Sequence, residues 1–375
     1  MGLTNIRLGD YIERSTINNK ELKYGVDLIV GVNSQGVFAT PKGNTDGVDL
    51  KPYKIVENGA FVYNPTRLEL GSIAYRTEGL CIVSHLYMVF YLTDEGKKII
   101  DPMWLYIYFR RSEFCREVKF RNFGSQRPEF NFNDMSDIVI PLPDIEIQKK
   151  YVDIYNAMLE NQKSYEYRLE DLKLACDAYI EDLKHGIHCK AIGPYVERHD
   201  VRNRTNEIKN VMGVSTSKEF REPTSKVNRN ELSNYKIVRP RQISFVQTTH
   251  NEKVFAYAFN NTEDDIVVTS VNEVFSVDED KLLPEYLCMF FNRTEFDRYA
   301  RFHSWGSARE TFTWDDLVKV EIPIADMKTQ KSIAGIYKAY KERKAINEKL
   351  KEQIKDICPI LIKGSIEEAR KAKEA

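Results

Sequence analysis

The chain has 375 residues, with 55 Lys+Arg against 56 Asp+Glu, a net charge of −1 and 42% hydrophobic residues. That length allows two domains that each bury a core, and no apolar run approaches the ~20 residues of a membrane span. Near-neutral charge excludes a chain coated in basic surface, so nucleic-acid binding would need positive charge gathered locally. The start, Met1-Gly2-Leu3-Thr4-Asn5-Ile6-Arg7, lacks the apolar stretch of a signal peptide and has Ile6 where a myristoylation signal needs Ser or Thr. Six scattered cysteines (Cys81, Cys115, Cys176, Cys189, Cys288, Cys358) with no Cys-x-x-Cys pair read as free thiols of a reducing, cytoplasmic setting.

In chain order, short β-like runs at 55–63 and 82–92 lead to an amphipathic helix at 102–119, opened by Pro102. The loop Gly124-Ser125-Gln126-Arg127 and the extended Ile140-Pro141-Leu142-Pro143 follow, and Asp144 is placed to cap a long helix. Then the order repeats. Tyr53-Lys54-Ile55-Val56 recurs as Tyr235-Lys236-Ile237-Val238, and Pro102 to Tyr155 lies over Pro284 to Tyr337 at the same 182-residue offset, about twenty of 54 positions being identical. Leu8-Gly9-x-Tyr11-x-Glu13-Arg14 returns as Ile192-Gly193-x-Tyr195-x-Glu197-Arg198. The second copy carries a strand run at 266–277, a helix at 284–301, the loop Gly306-Ser307-Ala308-Arg309, and Asp326 before a second long helix. Such a period is too long for a solenoid and means two whole domains in series. The expected architecture is α+β: strand-rich domains over 1–143 and 190–325, with long helices over 144–189 and 326–375.

Positions Tyr151, Tyr155, Met158, Gln162, Tyr165, Leu169, Leu172, Cys176, Tyr179 and Leu183 step by four and three, the seam of a coiled coil. The second helix repeats it with Ile336, Tyr340, Arg343, Asn347, Leu350, Ile354, Ile357 and Leu361, and Gly186 and Gly364 are placed as C-caps. Residues 144–189 carry 6 cations and 10 acids, whereas 326–375 carry 13 and 8. Helices of opposite net charge are natural partners. Since each follows its own domain, the expectation is an antiparallel coiled coil, a rod of about 55 Å at ~1.5 Å per residue, spacing two modules over about one and a half turns of DNA.

Enzyme signatures are missing. Gly31-Val32-Asn33-Ser34-Gln35-Gly36 has P-loop glycine spacing, but Val37-Phe38 stands where Lys-Ser/Thr is needed, and no Gly-x-Gly-x-x-Gly exists. Asn64-Pro65-Thr66-Arg67 lacks the second proline and the aromatic of an amino-methyltransferase motif. Pro143-Asp144-Ile145-Glu146-Ile147-Gln148-Lys149 has its lysine one residue late for a nuclease core, and acids in a first helical turn complement the helix dipole. His185-x-x-His188-Cys189 lacks a fourth ligand, so no metal is expected.

Charge does gather ahead of the two Gly-Ser-x-Arg loops. Arg110, Arg111, Arg116, Lys119, Arg121 and Arg127 face only Glu113 and Glu117. Arg293, Arg298, Arg301 and Arg309 face Glu295 and Asp297, with His303 nearby. Gly-Ser lets backbone N–H groups approach a phosphate, and the arginine is suited to clamp phosphate or guanine. For Arg110, Arg111 and Arg116, solvation of a helix face stays an open alternative. The copies diverge in polar loops: Asn33, Ser34 and Gln35 against Ser215, Thr216, Ser217 and Lys218, and Asn64 to Arg67 against Gln247, Thr248, Thr249 and His250. These side chains are of the kinds that read base edges, as two heads reading different half-sites would need.

Gly124-Ser125-Gln126-Arg127-Pro128-Glu129-Phe130, then Ile140-Pro141-Leu142-Pro143 and Gln148, resembles the join between target-recognition domain and helix in the specificity (S) subunits of type I restriction–modification systems. Gly306 to Gln330 repeats that join with Ala325 for the second proline, and Asn64-Pro65-Thr66-Arg67-Leu68…Gly71 also resembles a segment of the family. The second copy departs there, from Gln247 to Val254. The resemblance covers essentially the whole chain. It implies a non-catalytic subunit that reads a bipartite, asymmetric site in double-stranded DNA. Such a subunit docks two methyltransferase (modification) subunits and, through them, restriction/translocase subunits. S-adenosylmethionine and ATP would then bind the partners, with no cofactor in this chain and no membrane. A coiled-coil scaffold whose end domains bind proteins is the alternative from another class; salt-dependent DNA binding separates the two.

Overall fold

The computed structural model describes residues 3–41, 43, 45, 47–122, 129–248, 254–305 and 310–374. They form two compact units, Met1–Ser164 with Asn347–Ala375, and Tyr165–Ile346. The first long helix, Ile145–Gly186, and the second, Met327–Glu374, therefore each contribute one half to each unit.

Both units carry the same antiparallel sheet. In the first, the order is Ile12–Ser15, Met88–Leu92, Phe61–Tyr63, Ile73–Tyr75; in the second, Val196–His199, Asn272–Val277, Ile243–Val246, Tyr257–Phe259. Each expected strand run proves to be two strands with a turn between them. Lys54–Val56 is separated from Phe61–Tyr63 by a turn at Gly59, whose φ of +86° a side chain rarely adopts. Likewise Cys81–Val83 precedes Met88–Leu92, and Ile266–Val268 precedes Asn272–Val277. The ends of each domain are tied by a two-stranded ladder, Thr4–Arg7 with Val139–Leu142 and Cys189–Ala191 with Glu321–Pro323. A two-stranded ladder has free edges, so Pro141 and Pro323 are tolerated there despite lacking an N–H.

The helix expected over 102–119 is two helices, Pro102–Phe109 and Ser112–Arg121, and 284–301 divides in the same way into Pro284–Asn292 and Thr294–Phe302. Burial explains the break. Trp104 to Phe109 are all buried, so the first segment has no solvent face, whereas the second buries only Phe114 and Val118. One straight rod cannot serve both demands, and the chain turns at Arg110-Arg111, with Arg111 in an extended conformation.

The second long helix starts as its aspartate implies. Asp326 Oδ1 accepts from the Lys328 and Thr329 amides at 3.0 Å each. One turn later, a fully buried glutamine pins each helix to its domain. Gln148 Nε2 donates to Ile99 O (2.8 Å) and Pro143 O (2.7 Å), while Oε1 accepts from Asp101 N at 2.8 Å. Gln330 repeats this on Lys281 O, Ala325 O and Leu283 N.

Within each unit the helix halves pack antiparallel. In the first, Lys150 and Tyr151 meet Glu368, and Gln162 meets Asn347. In the second, Arg343 lies over the Tyr165 ring, and Cys176, Ile180 and Ile333 share one core. Tyr155, Met158, Ile354, Ile357 and Leu361 join the core of the first unit, as Leu183 and Ile336 do that of the second; Leu169, Leu172, Tyr340 and Leu350 are half-buried. Two expectations need correction. Tyr179 is 49% exposed and Ile180 takes its place, because a 3.6-residue helix drifts from a 3.5-residue repeat over several heptads. Gly364 is not a cap: the helix runs on to Glu374, and the Tyr151 ring packs so closely that a Cβ would stand 2.8 Å from its Cε1. The cross-helix pair Lys150–Glu368, at 2.9 Å, also runs opposite to the helices' net charges.

Candidate nucleic-acid interface

In the first unit the polar loops converge on Arg110, at the break between the two short helices. Asn33 to Gly36 turn a hairpin between Gly31–Val32 and Phe38–Ala39, where Asn33 Oδ1 accepts from Gln35 N (2.9 Å) and Val37 N (3.2 Å). That leaves Ser34 and Gln35 exposed. Asn64 forms a similar turn, its Oδ1 accepting from Thr66 N at 3.1 Å, and Arg67 is exposed before the short helix Leu68–Leu70. Arg110 donates to Gly71 O at 2.6 Å and to Ser34 O at 3.5 Å, joining both loops. Gly36 and Gly71 both have positive φ, and a Cβ on Gly36 would meet the Arg110 guanidinium at 2.5 Å. Arg110 therefore shapes the loops from beneath rather than solvating a helix face.

The second unit reaches a like result with the cation on the other partner. Lys218 occupies the position of Gly36, and Asn292 that of Arg110. From its hairpin, with φ +64°, Lys218 sends a buried ammonium to Phe291 O (2.6 Å) and Asp297 Oδ1 (2.8 Å). Burial pushes its pKa below the ordinary lysine value, opposed by the bond to Asp297. Lys218, read from sequence as a DNA-facing residue, is thus committed inside the unit. Its neighbour Ser217 is exposed and Thr216 half-exposed.

Gly124, Ser125, Gln126, Arg127, Gly306, Ser307 and Arg309 lie outside the described residues, as do Thr249 and His250. Their flanks are described. Phe130 N donates to Pro65 O at 3.0 Å, and at the equivalent place Phe312 N donates to Gln247 O at 2.8 Å. Phe130 and Phe312, which follow the two Gly-Ser-x-Arg stretches in the chain, thus lie beside the segments holding Asn64 to Arg67 and Gln247 to Thr248. Gln247 donates to the buried Glu273, and Thr248 bridges Thr311.

Lys119 and Arg301 are exposed at equivalent positions. Arg121 pairs with Glu117 at 2.8 Å, where the second unit sets His303 against Tyr299, 4.3 Å between ring centroids. Arg116 pairs with Glu113 at 3.4 Å, and Arg111 lies 3.7 Å from the Tyr108 ring centroid. Among the described residues no group of three or more His, Cys, Asp or Glu is arranged to hold a metal ion. None of the described helices is long and apolar enough to cross a membrane.

The family model described as type I restriction modification DNA specificity domain matches this chain twice, over residues 4–170 and 194–356. The chain belongs to that family. Each matched stretch holds one globular half, its Gly-Ser-x-Arg loop, the join and part of a long helix, so this specificity-domain protein carries the family unit in duplicate.

Among solved structures, the type I restriction–modification system S subunit from M. genitalium shares its fold, with TM-score 0.63, 11% identity, and 97% of this chain and 96% of that one covered. The HsdS subunit from Thermoanaerobacter tengcongensis matches with TM-score 0.40, 15% identity and coverage of 97% and 96%. A chain from a structure of type I R-M system complex assembly and conformational transition matches with TM-score 0.45, 15% identity and coverage of 98% and 97%. No curated protein matches the chain.

Proposed function

We propose that this chain is the DNA-reading specificity subunit of a type I restriction–modification complex. One observation carries the reading: the specificity-domain model matches twice, and the two halves share a scaffold while their exposed loops differ. Each half reads one part of a bipartite, asymmetric site in duplex DNA, and the paired long helices set the gap. The chain performs no chemistry itself. It docks two methyltransferase (modification) subunits that bring S-adenosylmethionine, and through them the ATP-dependent restriction subunits.

In each head, Arg127 or Arg309 supplies the phosphate or guanine clamp of its loop, Lys119 or Arg301 supports it on the preceding helix, and Asn33, Ser34, Gln35, Asn64 and Arg67, or Thr216, Ser217, Gln247 and Thr248, supply base-edge contacts. The test is duplex binding by the assembled complex across salt concentrations. Affinity falls steeply with salt as counterions are released, and Arg127→Ala and Arg309→Ala each weaken it. Binding without salt dependence or sequence preference would instead support a protein-binding scaffold.

A further inference from the structure

Phe120 and Phe302 are 82% and 81% exposed. They stand at the 182-residue offset, each in the last turn of its short helix, Ser112–Arg121 and Thr294–Phe302, just before the Gly-Ser-x-Arg loop. Among the exposed large apolar side chains of the described residues, they are the one aromatic pair at equivalent positions. Neither is needed for the core. Those helices already bury Phe114 and Val118 in one unit and Phe296 and Ala300 in the other. A phenyl ring left in water gains nothing for the free chain, and finding it twice in one place points to something that covers it.

The surroundings say what that something is. Each ring has an exposed cation beside it, Lys119 or Arg301, and another one turn back on the same face, Arg116 or Arg298. The latter pairs at the surface with Glu113 or Glu295 of its own helix, and the stretches 110–127 and 293–309 stay net positive. An apolar partner surface would not call for this belt of positive charge, whereas a duplex has phosphates for the cations and base faces and thymine methyls for the ring.

We propose that Phe120 and Phe302 are the apolar base-contacting residues of the two heads, each ring entering the groove between phosphates held by the neighbouring cations. The inference rests on the DNA-reading function proposed above and adds a residue to each half-site.

The full chain, assembled with its modification subunits, is titrated with a duplex carrying its methylated site and with a scrambled duplex of equal length, at several salt concentrations. Phe120→Ala and Phe302→Ala each weaken the cognate duplex about tenfold or more. Both leave the scrambled duplex within about twofold and the salt slope unchanged, since a phenyl ring displaces no counterion. Lys119→Ala weakens both duplexes and lowers the slope by about one. Unchanged cognate affinity in both phenylalanine variants overturns the inference while leaving the DNA-reading function standing. Loss of the modification subunits from either variant, with DNA affinity retained, overturns it in favour of a protein partner. A wild-type complex without salt-dependent binding removes the DNA-reading function and this inference together.

Discussion

Replacing Gln148 by Leu keeps the side-chain volume but strips three buried hydrogen bonds at once. The Ile99 and Pro143 carbonyls lose their donor and the Asp101 amide loses its acceptor, at a residue with no exposed surface. Each orphaned buried group costs about 1–3 kcal/mol, and partial relaxation brings the sum to about 3–5 kcal/mol. At about 2–4 °C per kcal/mol for a domain of this size, the first unit melts roughly 10 °C lower. Gln330→Leu inflicts the same loss on Lys281 O, Ala325 O and Leu283 N, so the second unit should fail instead. Thermal unfolding followed by hydrogen exchange assigns each loss to its unit. A Gln148→Leu protein that melts within about 1 °C of wild type, or loosens both units equally, would refute the view that this glutamine pins the helix to its own domain.

The Gln162–Asn347 bond, 2.8 Å between buried side chains, should behave as a register device. Asn347→Leu alone costs about 1–3 kcal/mol in denaturant unfolding, while Gln162→Leu with Asn347→Leu recovers most of that loss; equal losses would contradict the pairing. Gly364→Ala drives a Cβ into the Tyr151 ring and destabilises by about 1–3 kcal/mol. Gly335→Ala meets open space in mid-helix and stabilises by about 0.5–1 kcal/mol. Burial holds the Tyr63, Tyr155, Tyr286 and Tyr337 hydroxyls well above the ordinary tyrosine value of 10.0. Below that pH, folded and unfolded chains both keep these protons; above it the unfolded chain releases them first, so stability falls as pH rises. Unfolding midpoints should drop steadily as pH rises above about 10, with tyrosinate absorbance from these residues appearing only as the chain unfolds.

Much of this architecture was legible in the sequence, because duplication repeats its signals: the strand runs, the Pro-led helix ahead of each join and the long helix each occur twice, and the seam positions Gln162 and Asn347 meet each other. What was not legible depends on three-dimensional packing. The break at Arg110 follows from one segment being buried all round, which periodicity reads as a continuing helix. Gly364 has the look of a cap, and only the Tyr151 ring against it reveals a close helix crossing. In the site, the first unit sends its cation from helix to hairpin, Arg110 reaching Ser34 O, whereas the second sends it from hairpin to helix, Lys218 reaching Phe291 O and Asp297. Laying the repeats side by side exposes that reversal only once loop and helix are known to touch. Phe120 and Phe302 were among the repeated identities, but sequence alone leaves them as ordinary helix aromatics; their exposure singles them out.

The central claim is that two heads read two separate half-sites. Sequencing methylated bases in cells carrying this chain with its modification subunits tests it directly, when wild type is compared with a variant altered only at Asn33, Ser34 and Gln35. The account predicts a two-part motif with a fixed gap, in which the variant changes or loses one part and keeps the other part and the gap. A single uninterrupted motif, or a variant in which both parts change together, would contradict it.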